Sequence, residues 1–348
     1  MKWLVLGPGA MAFFAFLGQM SNMDLSEVQA VSGSSAGAVL SLFWLLNDGK
    51  IPEILDFSLK VRIGKLMKPN IKNFLNNFGL VPMTNLRRAM SDAIFKKFKT
   101  KEITFGELWN RVPIEFYVSA FCTERGQTVY FSHRTHPGDS VIDAICASIA
   151  VPFLFSTVKI GEWRYVDGGF QEEIPGLPFV TKPRHEVAVI RISPPPPVPP
   201  SLSLASYVGN IFAGILRLRH SYDYPSYVIN SEEFDIFDFT ADGLHIFNLG
   251  QKYRKIVNEA HDPSWLCCAQ STEEDYSQSE TGPAVLHVHA QAGVCPRETN
   301  AVLRRGIDRE ESACDRQVEE GHADSLRVSP SRGYDQSPQV AEQGDQQG

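Results

Sequence analysis

The sequence predicts an α/β protein, a three-layer α/β/α sandwich around a mainly parallel sheet. Short apolar runs of strand length alternate with apolar runs of helical length. The first two strand-like runs each lead through a glycine turn into a helix. The first strand is apolar throughout, as suits a parallel strand buried on both faces.

In chain order, residues 2–6 form the first strand and residues 11–19, free of breakers before Gly18, the first helix. Residues 27–32 are the second strand, and residues 36–46, apolar nearly all round, read as a helix buried against the sheet. Residues 114–121 and 128–131 read as strands joined at a turn containing Gly126. A helix over 141–150 and strands over 164–166 and 186–192 follow. Residues 194–200, six prolines and a valine, predict an extended polyproline loop. A helix over 207–219, a last strand over 244–249 and a closing helix over 250–261 complete the pattern.

The 348 residues are 43% hydrophobic and 21% charged, the balance of a globular protein with room for one large domain and an appendage. The net charge of −7 is unevenly spread. From Ser264 onward there are 7 Arg, no Lys and 15 acidic residues, and all 22 Phe lie before that point. That composition cannot offset its ordering entropy, so residues 263–348 are expected to be a disordered acidic tail behind a domain over 1–262. The near-neutral body argues against a nucleic-acid binder.

Cys122 and Cys146, the only cysteines of the body, lie in apolar runs, and no C-x-x-C pair occurs. No metal site or disulfide framework is expected, and a reducing, cytoplasmic setting fits. Gly7, Pro8 and Gly9 interrupt the apolar N-terminus, which therefore reads as neither a signal peptide nor a membrane span.

Three motifs carry chemistry. Gly33-Ser34-Ser35-Ala36-Gly37 is a G-x-S-x-G sequence between a strand and a helix. A nucleophile at the tip of that strained turn needs glycines for neighbours, because side chains there would collide. Gly7-Pro8-Gly9-Ala10-Met11-Ala12 also joins a strand to a helix, so its amides can hold an anion. The anion is a tetrahedral oxyanion in an esterase. In a dinucleotide-binding oxidoreductase the same G-x-G-x-x-A shape cradles a pyrophosphate. That second reading wants an acid at the end of the next strand, where this chain has Ser32-Gly33. Asp167-Gly168-Gly169 is the third motif, a carboxylate after a short strand or, equally, an ordinary turn.

Taken in order, these motifs resemble the patatin-like phospholipases. The similarity continues through Cys146-Ala-Ser-Ile-Ala150-Val-Pro152-Phe-Leu-Phe155 before Tyr165-Val-Asp167-Gly-Gly169, and through Thr104-Phe-Gly-Glu-Leu108 and Gly250-Gln-Lys-Tyr253, covering about residues 1–262. The resemblance implies a patatin-like fold and lipid acyl hydrolysis by a serine–aspartate dyad without cofactor or metal. Ser35 is then the nucleophile and Asp167 its general base. Gly7, Gly9 and Ala10 would form the oxyanion loop, supported by Gly33, Gly37, Gly168 and Gly169. A lipid substrate implies peripheral contact with a membrane or lipid droplet.

This chain departs from the family where Pro8 replaces a glycine and removes an N–H, and where Met11 replaces a basic residue. Gln171-Glu172-Glu173 stands where the family has Asn. A catalytically impaired lipid binder is therefore the alternative reading. An α/β-hydrolase triad fits poorly, since only two strands precede Ser35, and His185, His220, His245 and His261 are expected at the surface or at caps. Arg62, Lys65, Lys68 and Lys72 have the spacing of one helical face, either solvated or docked on anionic lipid.

Overall fold

The computed structural model describes residues 1–193, 214, 219–253 and 256–257, all within one unit, Met1–Thr272. At its centre β1 (Trp3–Leu6) pairs in parallel with β2 (Ala30–Ser34) on one side and β9 (Val187–Ile192) on the other. β4 (Glu115–Cys122) extends the parallel set beyond β2, and β10 (Ser226–Ile229) extends it beyond β9. Antiparallel strands border this five-stranded centre. β5 (Gln127–Phe131) and β8 (Trp163–Asp167) pair with β4, β7 (Val158–Ile160) with β8, and β11 (Ile256–Val257) with β10. A separate two-stranded pair joins β3 (Gly79–Val81) to β6 (Phe153–Phe155). The fold is α/β, with a mixed sheet whose centre is parallel.

Alternation along the central strands sorts the core. Leu4 and Leu6 face a helical layer, while Val5 joins Ala30, Val187 and Val189 on the opposite face. The helical layer holds α1 (Ala12–Met20), buried at every residue, and α2 (Ala36–Leu46), buried at all but Val39. Around these lie α3 (Ile51–Val61), α4 (Ile71–Asn77), α5 (Thr84–Phe98), α6 (Phe105–Arg111) and α7 (Val141–Ser148). The other face is covered, among the described residues, by Ile174, Tyr224 and a 3-10 turn, Leu177–Phe179.

α8 (Gly243–Gly250) corrects one expectation, since residues 244–249 are helical and not a strand. The Asp242 carboxylate caps it by accepting from the Leu244 amide at 2.9 Å. Glycines then let it lie directly on α1: a Cβ at Gly250 would come within 2.0 Å of the Ala15 carbonyl, and one at Gly18 within 2.1 Å of the Phe247 carbonyl. A six-residue apolar run is ambiguous by length alone, and here the cap and the helix contact decide it. The expected closing helix also gives way. The chain turns after Gly250, and Ile256–Val257 pairs with β10.

The four cations expected on one helical face do not share a helix. Arg62, at φ 49°, ends α3, Lys65 closes a 3-10 turn, and Lys72 lies in the first turn of α4 beyond Pro69. The polyproline loop, nearly all of the 207–219 helix and the 263–348 tail lie outside the described residues. No helix among the described residues is long and apolar enough to cross a membrane.

The carboxyl ends of β1, β2 and β9 share one side of the sheet. The chain leaves β1 toward β2 and leaves β9 toward β10, in opposite directions. Such a switch point opens a crevice outside the strand ends, and the Gly7–Ala10 and Gly33–Gly37 turns both lie at it.

Candidate active site

Ser35 sits between β2 and α2 at φ 52° and ψ −121°, a conformation that L-residues seldom adopt. The two glycines of its motif make this turn possible. A Cβ at Gly37 would come within 2.2 Å of the Leu6 carbonyl, and one at Gly33 within 2.6 Å of the Ala38 amide nitrogen. The Ser35 amide donates to Ser148 Oγ at 2.9 Å, fixing the elbow to the end of α7. The Ser35 hydroxyl caps nothing in α2.

Strand pairing brings Asp167 to this elbow. Ser34 pairs with Ser119 of β4, and Asp167 pairs with the next β4 residue, Ala120. β5 runs along the other edge of β4, so β2 and β8 share one edge and meet end to end. Gly168 lets the chain turn there, since a Cβ on it would lie 2.4 Å from the Ser119 carbonyl.

The Asp167 side chain is buried. Its Oδ1 accepts from the Gly169 amide at 2.8 Å, and its Oδ2 has no hydrogen-bond partner. Burial pushes its pKa up to about 6, against lowering by the Ser35 hydroxyl, the Gly169 amide and the Arg219 cation. Ser35 is thus a close neighbour of the carboxylate, yet no hydrogen bond of full geometry closes between them. Contacts of this kind are commonly loose without substrate and tighten when it binds.

The first glycine loop leaves two backbone donors without an acceptor among the described residues. The Gly7 amide is taken up in the sheet, donating to Ile190 at 2.9 Å, and the Met11 amide donates to Ile236 at 3.0 Å. Gly7 thus belongs to the loop as a spacer. Pro8 has no N–H. The amides of Gly9 and Ala10 find no acceptor among the described residues, and Ala10 is held at φ 46°. Pro8 has a packing role, for a Cβ at Gly169 would come within 2.6 Å of its own Cβ.

An apolar cavity of about 120 Å³ opens beside Ser35 and Ala10, walled by residues that include Val39, Phe43, Met90, Val151 and Phe237. A larger groove of about 1080 Å³, between the end of α1 and the start of α3, touches neither Ser35 nor Asp167.

Each member of Gln171-Glu172-Glu173 has a partner. Gln171 Oε1 accepts from the amide and hydroxyl of Thr128, both at 2.8 Å. The Tyr130 hydroxyl donates to buried Glu172, whose pKa is raised by burial. Glu173 pairs with Arg191 at 2.8 Å. Arg219 donates to the Gly169 carbonyl at 3.1 Å. Sequence reasoning missed Arg219, which has no motif of its own, and gave no role to Ser148, although it lies within the stretch from Cys146 to Phe155. No histidine among the described residues hydrogen-bonds to Ser35 or Asp167. Likewise no group of His, Cys, Asp or Glu among them converges on a metal position.

The fold and this crevice define an α/β protein with a strained serine elbow set beside a buried carboxylate. The model of the patatin-like phospholipases matches residues 4–180, and the chain belongs to that family. A probable lipid hydrolase, 463L, of Invertebrate iridescent virus 6 is 24% identical over 181 residues, which are 50% of this chain and 61% of the relative. The chain thus spans about three fifths of that relative's length. Among solved structures, VipD from Legionella pneumophila is 14% identical at a TM-score of 0.42, with 72% of this chain and 65% of VipD covered. The type III effector ExoU of Pseudomonas aeruginosa is 15% identical at 0.39, with 72% and 51% covered.

Proposed function

We propose that this protein hydrolyses carboxylic esters of lipids, with Ser35 as nucleophile and Asp167 as general base. The observation that carries the reading is the end-to-end meeting of β2 and β8 on one edge of β4, which sets the elbow beside the acid. A carboxylate with pKa about 6 is mostly ionised at neutral pH, yet more basic than a solvated aspartate.

As Ser35 Oγ attacks the ester carbonyl, Asp167 takes its proton, and the Gly9 and Ala10 amides receive the developing oxyanion. When the tetrahedral intermediate collapses, the proton passes from Asp167 to the departing alcohol and leaves an acyl-serine. Asp167 then deprotonates a water that attacks this acyl group, and the fatty acid leaves as Ser35 recovers its proton. The acyl chain lies in the apolar cavity, whose walls suit hydrocarbon better than a pyrophosphate and so disfavour a dinucleotide enzyme. The lipid substrate lies at a membrane or droplet surface. With Pro8 lacking an amide and the Gly7 amide engaged, the Gly9 and Ala10 amides are the two donors that serve the oxyanion.

A fluorophosphonate probe tests the reading. Wild-type protein is expected to label at Ser35 and to hydrolyse an acyl ester, and Ser35→Ala to do neither while melting normally. Folded wild-type protein that neither labels nor turns over would reject the enzyme and leave the lipid binder.

A further inference from the structure

The helix α4 shelters only Asn73 and Phe74 against the protein and leaves its other five residues exposed. Its polar Asn73 faces the protein, donating to the Gly79 carbonyl at 2.5 Å and to Ser156 Oγ at 2.7 Å. Ile71 and Leu75, four residues apart and therefore on one face, are 67% and 73% exposed, and no residue of the helix is buried. Water alone gives no reason for that orientation, since a helix on a solvated surface turns its apolar stripe inward.

More apolar surface lies beside it. Phe78 follows α4 and is 53% exposed, and Phe153, paired with Gly79, is 54% exposed. The same stretch of chain reaches the acyl cavity: Ile63, Leu66 and Met67 line it from just before α4, and Phe155 lines it just after Phe153. Phe237 both lines the cavity and is 48% exposed. The exposed side chains therefore belong to the segments that wall the cavity containing Ser35.

The charge of this region selects the partner. Residues 57–91 contain seven Lys and Arg and no acid. Lys60 pairs with Asp56 and Arg87 with Asp143. Arg62, Lys65, Lys68 and Lys72 are exposed and make no ion pair among the described residues. The neighbouring acids Asp235 and Asp238, on the loop that approaches Gly64, accept from their own backbone at Phe237 and Thr240.

We propose that residues 62–78, with Phe153 and Phe237, form a docking surface for an anionic lipid bilayer. Ile71, Leu75, Phe78 and Phe153 enter the interfacial region, and Lys65, Lys68 and Lys72 stay at the level of the phosphates and carboxylates. Docking in this way turns the mouth of the cavity toward the lipid. The proposal rests on the lipid reading of the active site and specifies the surface that delivers the substrate.

Vesicle sedimentation of the full chain carrying Ser35→Ala tests docking with hydrolysis disabled. Phosphatidylcholine vesicles with phosphatidylserine are expected to pellet the protein, and phosphatidylcholine alone to pellet much less. Replacing Lys65, Lys68 and Lys72 together by Gln should weaken binding about fivefold per lysine, on the order of 100-fold in all, and should abolish the preference for phosphatidylserine. Ile71→Ser with Leu75→Ser should weaken binding at least about tenfold even at low salt. Circular dichroism confirms folding in each case. Equal pelleting on both vesicles, or variants that bind as the parent does, overturns the docking surface. Hydrolysis of a water-soluble short-chain ester by wild-type protein reports separately on the active site. Its absence, with vesicle preference intact, rejects the enzyme and leaves the surface standing.

Discussion

Arg219 donates to the carbonyl of Gly169 at 3.1 Å, and the amide of Gly169 in turn donates to Asp167 at 2.8 Å, so the half-buried cation braces the turn that carries Asp167. Glu173 and Arg191 stand behind it, paired at 2.8 Å. The charge acts on Asp167 as well, drawing down a pKa that burial raises.

Arg219→Gln is therefore expected to move the acid limb of the kcat/KM profile to higher pH. For a shift of about one unit, the rate falls about fivefold at pH 6 and about twofold at pH 7. Arg219→Lys, which keeps the charge but not the planar fork, should restore the position of the limb better than its height. A limb that stays in place in Arg219→Gln, with activity lowered evenly at all pH values, would show that Arg219 only props the turn.

Asp167 also ties stability to pH. Folding raises its pKa from 3.8 to about 6, so the folded protein holds this proton more tightly than the unfolded chain. Its contribution is greatest below about pH 4, declines as pH rises to about 6, and above that leaves a buried carboxylate whose penalty approaches 3 kcal/mol. Asp167→Asn removes that penalty and keeps an oxygen for the Gly169 amide. The variant should be inactive yet more stable than wild type at pH 7, with the gain shrinking toward pH 4. Denaturant melts at both pH values measure this, and an equal gain at both contradicts the assigned pKa.

The sequence made some of this site legible and hid the rest, for physical reasons. Ser35 was readable because steric demands leave a trace: only glycine fits at 33 and 37, so the elbow is written into the residue types. Asp167 was readable for the same reason, through Gly168 and Gly169. Four of the five parallel central strands, β1, β2, β4 and β9, were visible in the sequence, displaced by no more than three residues from where they lie, whereas β10 was missed. Arg219 was not legible, because a half-buried arginine is identified by its partners, and Gly169 is 50 residues away in the chain. Ser148 was hidden likewise, since nothing local shows that its hydroxyl receives the Ser35 amide. The helices between residues 51 and 111 went unassigned because their exposed faces are long and polar and their apolar stripes short. α8 was misread because its identity depends on Gly18 of α1, not on its own sequence.

Gly168 offers a test of the strand junction. A methyl added there would meet the Ser119 carbonyl at 2.4 Å, and β4 cannot yield without disturbing the strands along both of its edges. Gly168→Ala should displace Asp167 from the edge it shares with Ser34 and cost on the order of 100-fold in kcat, since a displacement of about 1 Å is enough for that. It should also lower stability by about 1–3 kcal/mol through overpacking. Full activity in this variant would mean that Asp167 does not need its place beside Ala120.

Val39 tests the acyl cavity with little confusion from folding. It is the one residue of α2 that is not buried, and its side chain lines the cavity beside Ser35. Val39→Phe therefore adds volume where a substrate chain would lie, without opening a hole in the core. A hydrocarbon pocket discriminates by about 10–200-fold per misfitted methylene. Long-chain esters should thus lose at least about tenfold in kcat/KM, while acetyl or butyryl esters, which need only the mouth of the pocket, should change by less than about threefold. The comparison uses kcat/KM across a chain-length series at fixed pH. If long and short chains lose equally, the acyl group lies elsewhere and the cavity is only a packing defect.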